Sequence, residues 1–508
     1  MSKKVPIFYS ALLLTAVNLL LRFAGTAFQV FLSGRIGAEG IGLLQLVLSV
    51  SSMSFVAAMG GIRTATMYLS AEERGRNHPE NYKWVLSGSI VYSIVFSISV
   101  ALLVYFLAPV IAGNWIGNTQ TEDAIRLVAT FLPVNCLCGV MVGFFTGINR
   151  IQTLAIVEVI EQIFSICTTL LLLHFWAGSD AGKACISVLL GSGLGACLTL
   201  TLLVILRLRD GKIHGNKIPI AKRLLQAGLP LAAADNLRTG ISTVENLMVP
   251  KRLGKFSGSV SPLGEFGTVC GMVFPILTFP MSLLFGLTEL LIPELARCNA
   301  ADSRVRIGYL VQKSLRIALL FGTLCAGILY LCAVPLCMKL YGSESAGMYL
   351  MWFAPLAIML YCDAITDAMI KGLGQQKISV AFNIVTNILD VVFLYLLLPK
   401  YGIKGYFISF LITHALNFGL SLRHLLKITG EKLPVNTIIM TVFSAIVSVV
   451  LCQFTSGGVM RGIAYSLSLS CLLYLFGVVR AEDFRWLLGL IHAKKKPGRN
   501  PARQRSSL

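Results

Sequence analysis

Eleven formal charges sit inside long apolar runs: Arg22, Arg63, Glu158, Glu161, Asp235, Arg238, Glu245, Glu289, Asp363, Asp367 and Asp390. A charge at the centre of a membrane helix costs about 2.5–3.5 kcal/mol, so facing lipid would cost this set roughly 30 kcal/mol. Most proteins are stable by only about 5–15 kcal/mol. Most of these side chains must therefore face a cavity, one another or an interface. Their spacing agrees. Asn18, Arg22, Gly25 and Gln29 recur with helical period, as do Asp235, Arg238, Ser242 and Glu245. Glu158, Glu161, Gln162, Ser165 and Thr169 share another face, and Asn383, Thr386, Asn387 and Asp390 a fourth. A guanidinium stays charged and presents five donors in a fork that matches phosphate. Arg22 and Arg238, with Asn18, Gln29, Asp235, Glu245 and Arg63, are the candidate cavity residues for an anionic substrate. Glu158, Glu161, Asp363, Asp367 and Asp390 are candidates either to load a coupling H⁺ or Na⁺ or to act as polar glue between helices. Asp235 and Arg238, one turn apart, could neutralise each other when the cavity is empty.

No enzyme site emerges: GxSxG, HExxH, Walker and DxD patterns are missing. The 13 cysteines are scattered through apolar runs without CxxC or Cys/His spacing, so no metal site is expected. The only cofactor-like requirement is possible coupling to H⁺ or Na⁺. His174 and His414 are lone histidines in apolar runs and read as packing residues.

The elements that must position these side chains are membrane helices. Of the 508 residues 56% are hydrophobic and 13% are charged, whereas soluble chains are about 25% charged. Mean hydropathy is +0.78. These values exclude a soluble protein and imply an all-α polytopic membrane protein. Fourteen spans are predicted, near 7–32, 41–69, 84–108, 125–148, 154–177, 184–206, 224–249, 266–292, 315–338, 347–370, 378–398, 403–425, 435–454 and 459–479. The longest connections fall near 207–223, 250–265 and 294–314. The N-terminus reads as a retained first span rather than a removed signal peptide. With both termini cytoplasmic, the inner connections and tails hold 30 Lys+Arg and the outer ones ten, a clear positive-inside bias. It explains most of the net charge of +20 without nucleic acid. Arg63 lies near the predicted inner end of span 2 and could snorkel. The exception outside is the basic cluster Lys251, Arg252 and Lys255. The tail 494–505 could touch anionic lipid headgroups.

An internal repeat organises the spans. GINRIQTLAIVEVIEQIFSI (147–166) aligns with GLGQQKISVAFNIVTNILDV (372–391), and GRIGAEGIG (34–42) with KRLGKFSGS (251–259). Residues 1–210 are expected to form an N-lobe of spans 1–6 and 211–430 a C-lobe of spans 7–12. Spans 13 and 14 occupy 431–480, and 481–508 is a basic cytoplasmic tail. Two similarly oriented lobes around a central cavity are a secondary-transporter architecture. Pro133 is expected to interrupt span 4, Pro230 to open span 7, and Pro275 and Pro280 to flank a turn of span 8. Gly191-Ser192-Gly193-Leu194-Gly195 reads as a close-packing patch of span 6.

An ordered set of motifs adds to this reading. Arg22 leads into GRIGAEGIGLLQL, followed by GGIRTATMYLSAE (60–72), VEVIEQ (157–162), LMVPKRLG (247–254), FPILTFPMSL (274–283), LIPELA (291–296), KGLGQQK (371–377) and LPKYGIKG (398–405). Over about residues 1–430 the chain resembles the stage V sporulation protein B-like branch of the polysaccharide transporter family, within the multidrug/oligosaccharidyl-lipid/polysaccharide exporter superfamily. The resemblance implies fourteen helices in two lobes, a plasma-membrane location, and flipping or export of a lipid-linked saccharide, as in related lipid II flippases. It also implies cavity arginines near the start of each lobe, for which Arg22 and Arg238 are the matches. Ser165, where a basic residue often follows the acidic-glutamine motif, and Glu245 depart from the family pattern. The expected partners are the lipid-linked saccharide and membrane lipids, with a monomeric chain. Alternatives are a cation-coupled drug exporter using Glu158, Glu161, Asp363 or Asp367, and a non-transporting scaffold for envelope assembly.

Overall fold

The computed structural model describes residues 7–76, 81–178, 180–209, 220–455 and 457–479. The predicted basic tail therefore lies outside the described residues. Among the described residues the chain is helical, with no strand. By length and apolarity ten helices can cross a membrane, or twelve if each of two bent pairs counts as one span. The first of the ten merges predicted spans 1 and 2, because Ile7–Met59 runs through a non-helical Gly37 (φ 70°). Helix Ile220–Leu253 is span 7; Asp235, Arg238 and Glu245 make it too polar for that test. Splitting the first helix and adding this polar one accounts for the fourteen expected spans. Apolar side chains such as Phe106, Leu171 and Leu467 are exposed on the outside, where lipid would cover them.

The repeat is visible in the backbone. Spans 5 (Ile151–Leu172) and 11 (Gln376–Tyr401) are both preceded by a left-handed residue, Asn149 (φ 62°) and Gly374 (φ 79°), at matching repeat positions. They also end alike, at Gly178 (φ 57°, ψ −119°) and Gly402 (φ 57°, ψ −139°). Only glycine adopts that last conformation without strain.

Three expectations are corrected. Pro133 lies inside an unbroken helix, Glu122–Gly147. Span 7 starts at Ile220, ten residues before Pro230. The connection expected at 294–314 is mostly helix, because Met281–Ala300 and Arg304–Tyr341 leave only a three-residue turn. The added turns carry Arg297, Arg304 and Arg306, charges that suit a helix end in water rather than hydrocarbon. Spans 8 and 10 do bend, each by 54°: one between Thr278 and Met281 at Pro280, the other between Phe353 and Leu356 at Pro355. On span 6, Gly191 abuts Thr169 and Ser165 of span 5, and Gly193 abuts the Phe131 ring of span 4, as a close-packing patch should.

Candidate functional site

The site is built where spans 1, 7, 8, 10, 11 and 12 approach one another. On span 1, Arg22 is exposed and its guanidinium lies 4.5 Å from the centroid of Phe285 on span 8. With Gly25, Thr26 and Gln29 it lines a cavity of about 470 Å³ whose other wall is Pro275–Phe279 of span 8. Gln29, also on its wall, donates to the Gly271 carbonyl at 2.9 Å. The side chain of Asn18 lies outside the described residues, as does that of Glu289.

Arg238 opens onto a second cavity, of about 410 Å³, that Phe285 also lines. The span 11 stripe is brought there complete: Asn383, Thr386, Asn387 and Asp390 all face it. Asp363 and Asp367 of span 10 line it too, but each has its own partner. Asp363 accepts from Asn417 at 2.9 Å. Asp367 pairs with Lys371 at 2.5 Å and accepts from Ser379. Asp390 accepts from Ser409 at 2.6 Å and Thr413 at 3.1 Å.

Glu245 and Ser242 line a third cavity, of about 300 Å³, which shares Asn387, Asp390 and His414 with the second. Glu245 and Asp390 hydrogen-bond each other. The two carboxyl groups are neighbours on the wall of this cavity. His414 stacks on Phe410 at 3.8 Å, the packing role expected of it, while also forming cavity wall. Asp235 is exposed on the same helix.

The remaining candidates lie elsewhere. Glu161 accepts from Thr199 of span 6 at 2.7 Å, which is the helix-gluing arrangement. Arg63 lies four residues past the apolar span that ends at Met59, near the expected span end. It follows the break at Gly60–Gly61, twelve residues before the helix ends at Gly75, and is close enough to Glu158 to act on its charge. In the outer cluster, Lys251 donates to the Asn114 carbonyl, Arg252 stacks on the Tyr395 ring at 3.1 Å, and Lys255 is exposed. Sequence reasoning missed Phe285, Asn417 and Tyr406, which are wall residues of these cavities. It also missed Glu72, Glu73 and Arg223. The adjacent acids on an otherwise basic face were the available signal for that group.

Residues 15–171 match the MatE family model. The chain is 22% identical to stage V sporulation protein B of Bacillus subtilis (strain 168), over 90% of each chain. It is also 22% identical to the lipid II flippase MurJ of that organism, over 75% of each. Among solved structures it superposes on lipid II flippase MurJ in an inward closed conformation with a TM-score of 0.68 and 13% identity, covering 94% of this chain and all of that one. An inward-facing multidrug resistance MATE family transporter of the MOP superfamily gives 0.63 and 14% identity, with 82% and 98% covered. The chain thus shares its fold with these two structures. The curated relatives with a stated activity and the solved neighbours are flippases or transporters rather than enzymes.

Proposed function

We propose that this chain flips a lipid-linked saccharide across the plasma membrane by alternating access. The observation that carries this is Arg22: a guanidinium inside the membrane, resting on an aromatic ring in a cavity between spans 1 and 8. Among the described residues no carboxylate pairs with it. A phosphate or pyrophosphate entering between these spans would exchange a ring for a fork-matched anion. Arg238 is the second anchor, in the adjoining cavity, where amides and carboxylates offer acceptors and donors to sugar hydroxyls. The lipid tail has a place as well. A groove of about 1110 Å³ runs along Leu433–Val442 of span 13 and Gly477–Val479 after span 14, with Lys313 and Arg316 among its lining. Opening the outer ends would release Lys251 from Asn114 and make it available to the emerging headgroup. The Glu245–Asp390 pair is the candidate for coupling to H⁺ or Na⁺. Both termini are placed in the cytoplasm by the basic-residue bias.

Depleting the protein in its native cell tests the proposal. Lipid-linked precursors should accumulate on the inner leaflet, and unchanged precursor levels and sidedness would contradict it. One observation favours a second reading, a cation-coupled exporter: Asp363, Asp367 and Asp390 surround the Arg238 cavity. Resistance to cationic dyes on expression, lost in Asp363→Asn, would support that reading instead.

A further inference from the structure

The groove of about 1110 Å³ beside spans 9, 12 and 13 has a wall that is almost wholly apolar, with Leu315, Leu319, Leu411 and Ile438 among its residues. Two cations stand at its Tyr309 end. Lys313 donates to the Tyr309 hydroxyl at 2.8 Å, and Arg316 donates to the Val478 carbonyl. The Arg316 contact sets the last described turn of the chain against span 9. Residues 477–479 are themselves part of the wall, so the described chain ends on the rim of the groove.

The residues that come next in the sequence, 480–508, lie outside the described residues. Within them Phe484, Leu487, Leu488 and Ile491 recur with the period of one helical face. An amphipathic segment of this kind lays its apolar face into an apolar groove. Glu482 and Asp483 stand directly before it and are the only acids in 480–508, against eight Lys+Arg. An anionic lipid surface would repel these two carboxylates, whereas Lys313 and Arg316 complement them. The lengths agree. Along span 9 the groove runs from Tyr309 to Leu320, about 16 Å of helix axis, and two helical turns over 484–491 would measure about 10 Å. Phe484 follows Val479 by five residues, so the segment is tethered at the rim. A tether that short gives an effective concentration in the mM range, against which any lipid chain must compete.

We propose that residues 482–491 seat in this groove, with Glu482 and Asp483 against Lys313 and Arg316 and the apolar face against Leu319 and Ile438, and that a lipid chain enters only by displacing them. The displacement rests on the reading of the groove as the place of the substrate's lipid tail; the seating does not. A substrate lipid would then open its own groove, and an empty transporter would keep it shut.

Cross-linking in the full chain tests the seating. The photo-reactive residue p-benzoylphenylalanine replaces Ile438 and, in a second variant, Leu411, and the protein is reconstituted in nanodiscs of phosphatidylethanolamine and phosphatidylglycerol. On irradiation both positions should join the peptide that contains 482–491, identified by mass spectrometry. The same residue at Leu467, exposed on span 14, should not reach it. Glu482→Lys/Asp483→Lys should lose the cross-link, and adding Lys313→Glu to that pair should restore it. Leu487→Asp/Leu488→Asp should lose it too, and decaprenyl phosphate should compete it away in the wild type. Cross-links from 438 and 411 to lipid alone would overturn the seating. So would cross-links that join isotopically labelled to unlabelled chains, which place the segment of a second copy there, or a yield that ignores the substitutions. A yield unchanged by decaprenyl phosphate would overturn the displacement. Flipping separates this from the transport reading. Leu487→Asp/Leu488→Asp should flip a fluorescent lipid-pyrophosphate-sugar faster than the wild type, and equal rates would overturn the displacement. Flipping by neither would overturn the transport reading, with the cross-links still deciding the seating.

Discussion

The guanidinium of Arg22 on span 1 stacks on the ring of Phe285 on span 8, 4.5 Å from its centroid. The ring holds the cation ready without neutralising it. An exposed cation–π contact contributes about 0.5–1 kcal/mol, less than a forked bond to an anion, so an arriving phosphate can displace the ring. Arg22→Lys should keep the charge and lose the fork, weakening binding of a short-chain lipid pyrophosphate by about tenfold, close to 1.4 kcal/mol. Phe285→Leu should change that affinity much less. Binding by microscale thermophoresis in detergent separates the two, and equal losses would argue against a fork-specific contact.

Asp390 joins the two polar cavities and accepts from Ser409 and Thr413. Asp390→Ala removes the carboxylate acceptor of both hydroxyls and leaves them backbone carbonyls, at 3.4 Å for Ser409 and 2.9 Å for Thr413, so it should cost about 0.5–1.5 kcal/mol for each hydrogen bond lost. Asp390→Asn keeps an acceptor and should unfold close to the wild type. The same Asn variant, like Glu245→Gln, should remove the dependence of flipping on pH or sodium while preserving substrate binding. Loss of binding in both would place the pair in the substrate site instead.

The outer ends of the halves meet at glycines. A Cβ on Gly267 would overlap the Ala38 carbonyl oxygen and lie 2.6 Å from the Gly42 nitrogen. Gly267→Val should therefore force the outer ends apart rather than destroy the fold. Labels at Glu39 and Ser261, which hydrogen-bond across that junction, should move to a longer distance. An unchanged distance in a folded variant would show that the junction yields elsewhere.

Where Arg223 pairs with Glu72 at 2.6 Å and Glu73 at 3.1 Å, the prediction is one of pH. Burial by itself would raise the Glu73 carboxyl, but hydrogen bonds from Asn81 and Arg223 outweigh it and hold the pKa below its ordinary value of 4.5. A carboxyl depressed on folding stabilises the protein above its unfolded pKa, and that contribution fades as pH falls from there through the lower folded value. Glu73→Gln should therefore lower the Tm at pH 7, and the gap to the wild type should shrink by pH 4. Scanning fluorimetry of detergent-purified protein checks this, and a gap independent of pH would contradict the assignment.

Much of the site was legible because lipid punishes charge. Arg22, Arg238, Glu245 and Asp390 stood out against apolar runs, and helical spacing placed the span 11 stripe on one face, where the structure finds it. Left-handed residues stand at matching positions of the repeat, Asn149 and Gly374. What the sequence hid was pairing. Phe285 is one aromatic residue among apolar neighbours, with no mark separating a cation's ring from a lipid-facing one. Glu73 and Arg223 lie at span ends, where charges are ordinary, so nothing local announces a contact between residues 150 positions apart. Lys251 and Arg252 read as free cations for a headgroup because the carbonyl of Asn114 and the ring of Tyr395 that engage them come from distant segments. Glu161 was open to either coupling or helix packing, and its hydrogen bond from Thr199 is the packing arrangement.

Flipping itself is the decisive measurement. Proteoliposomes containing a fluorescent lipid-pyrophosphate-sugar are treated with an impermeant quencher, and the fraction reaching the outer leaflet is followed over time. Wild-type protein should move the lipid, while Arg22→Ala and Arg238→Ala, folded and equally reconstituted, should each slow it by at least about tenfold. Full flipping by both variants would contradict arginine-held transport of a lipid-linked saccharide.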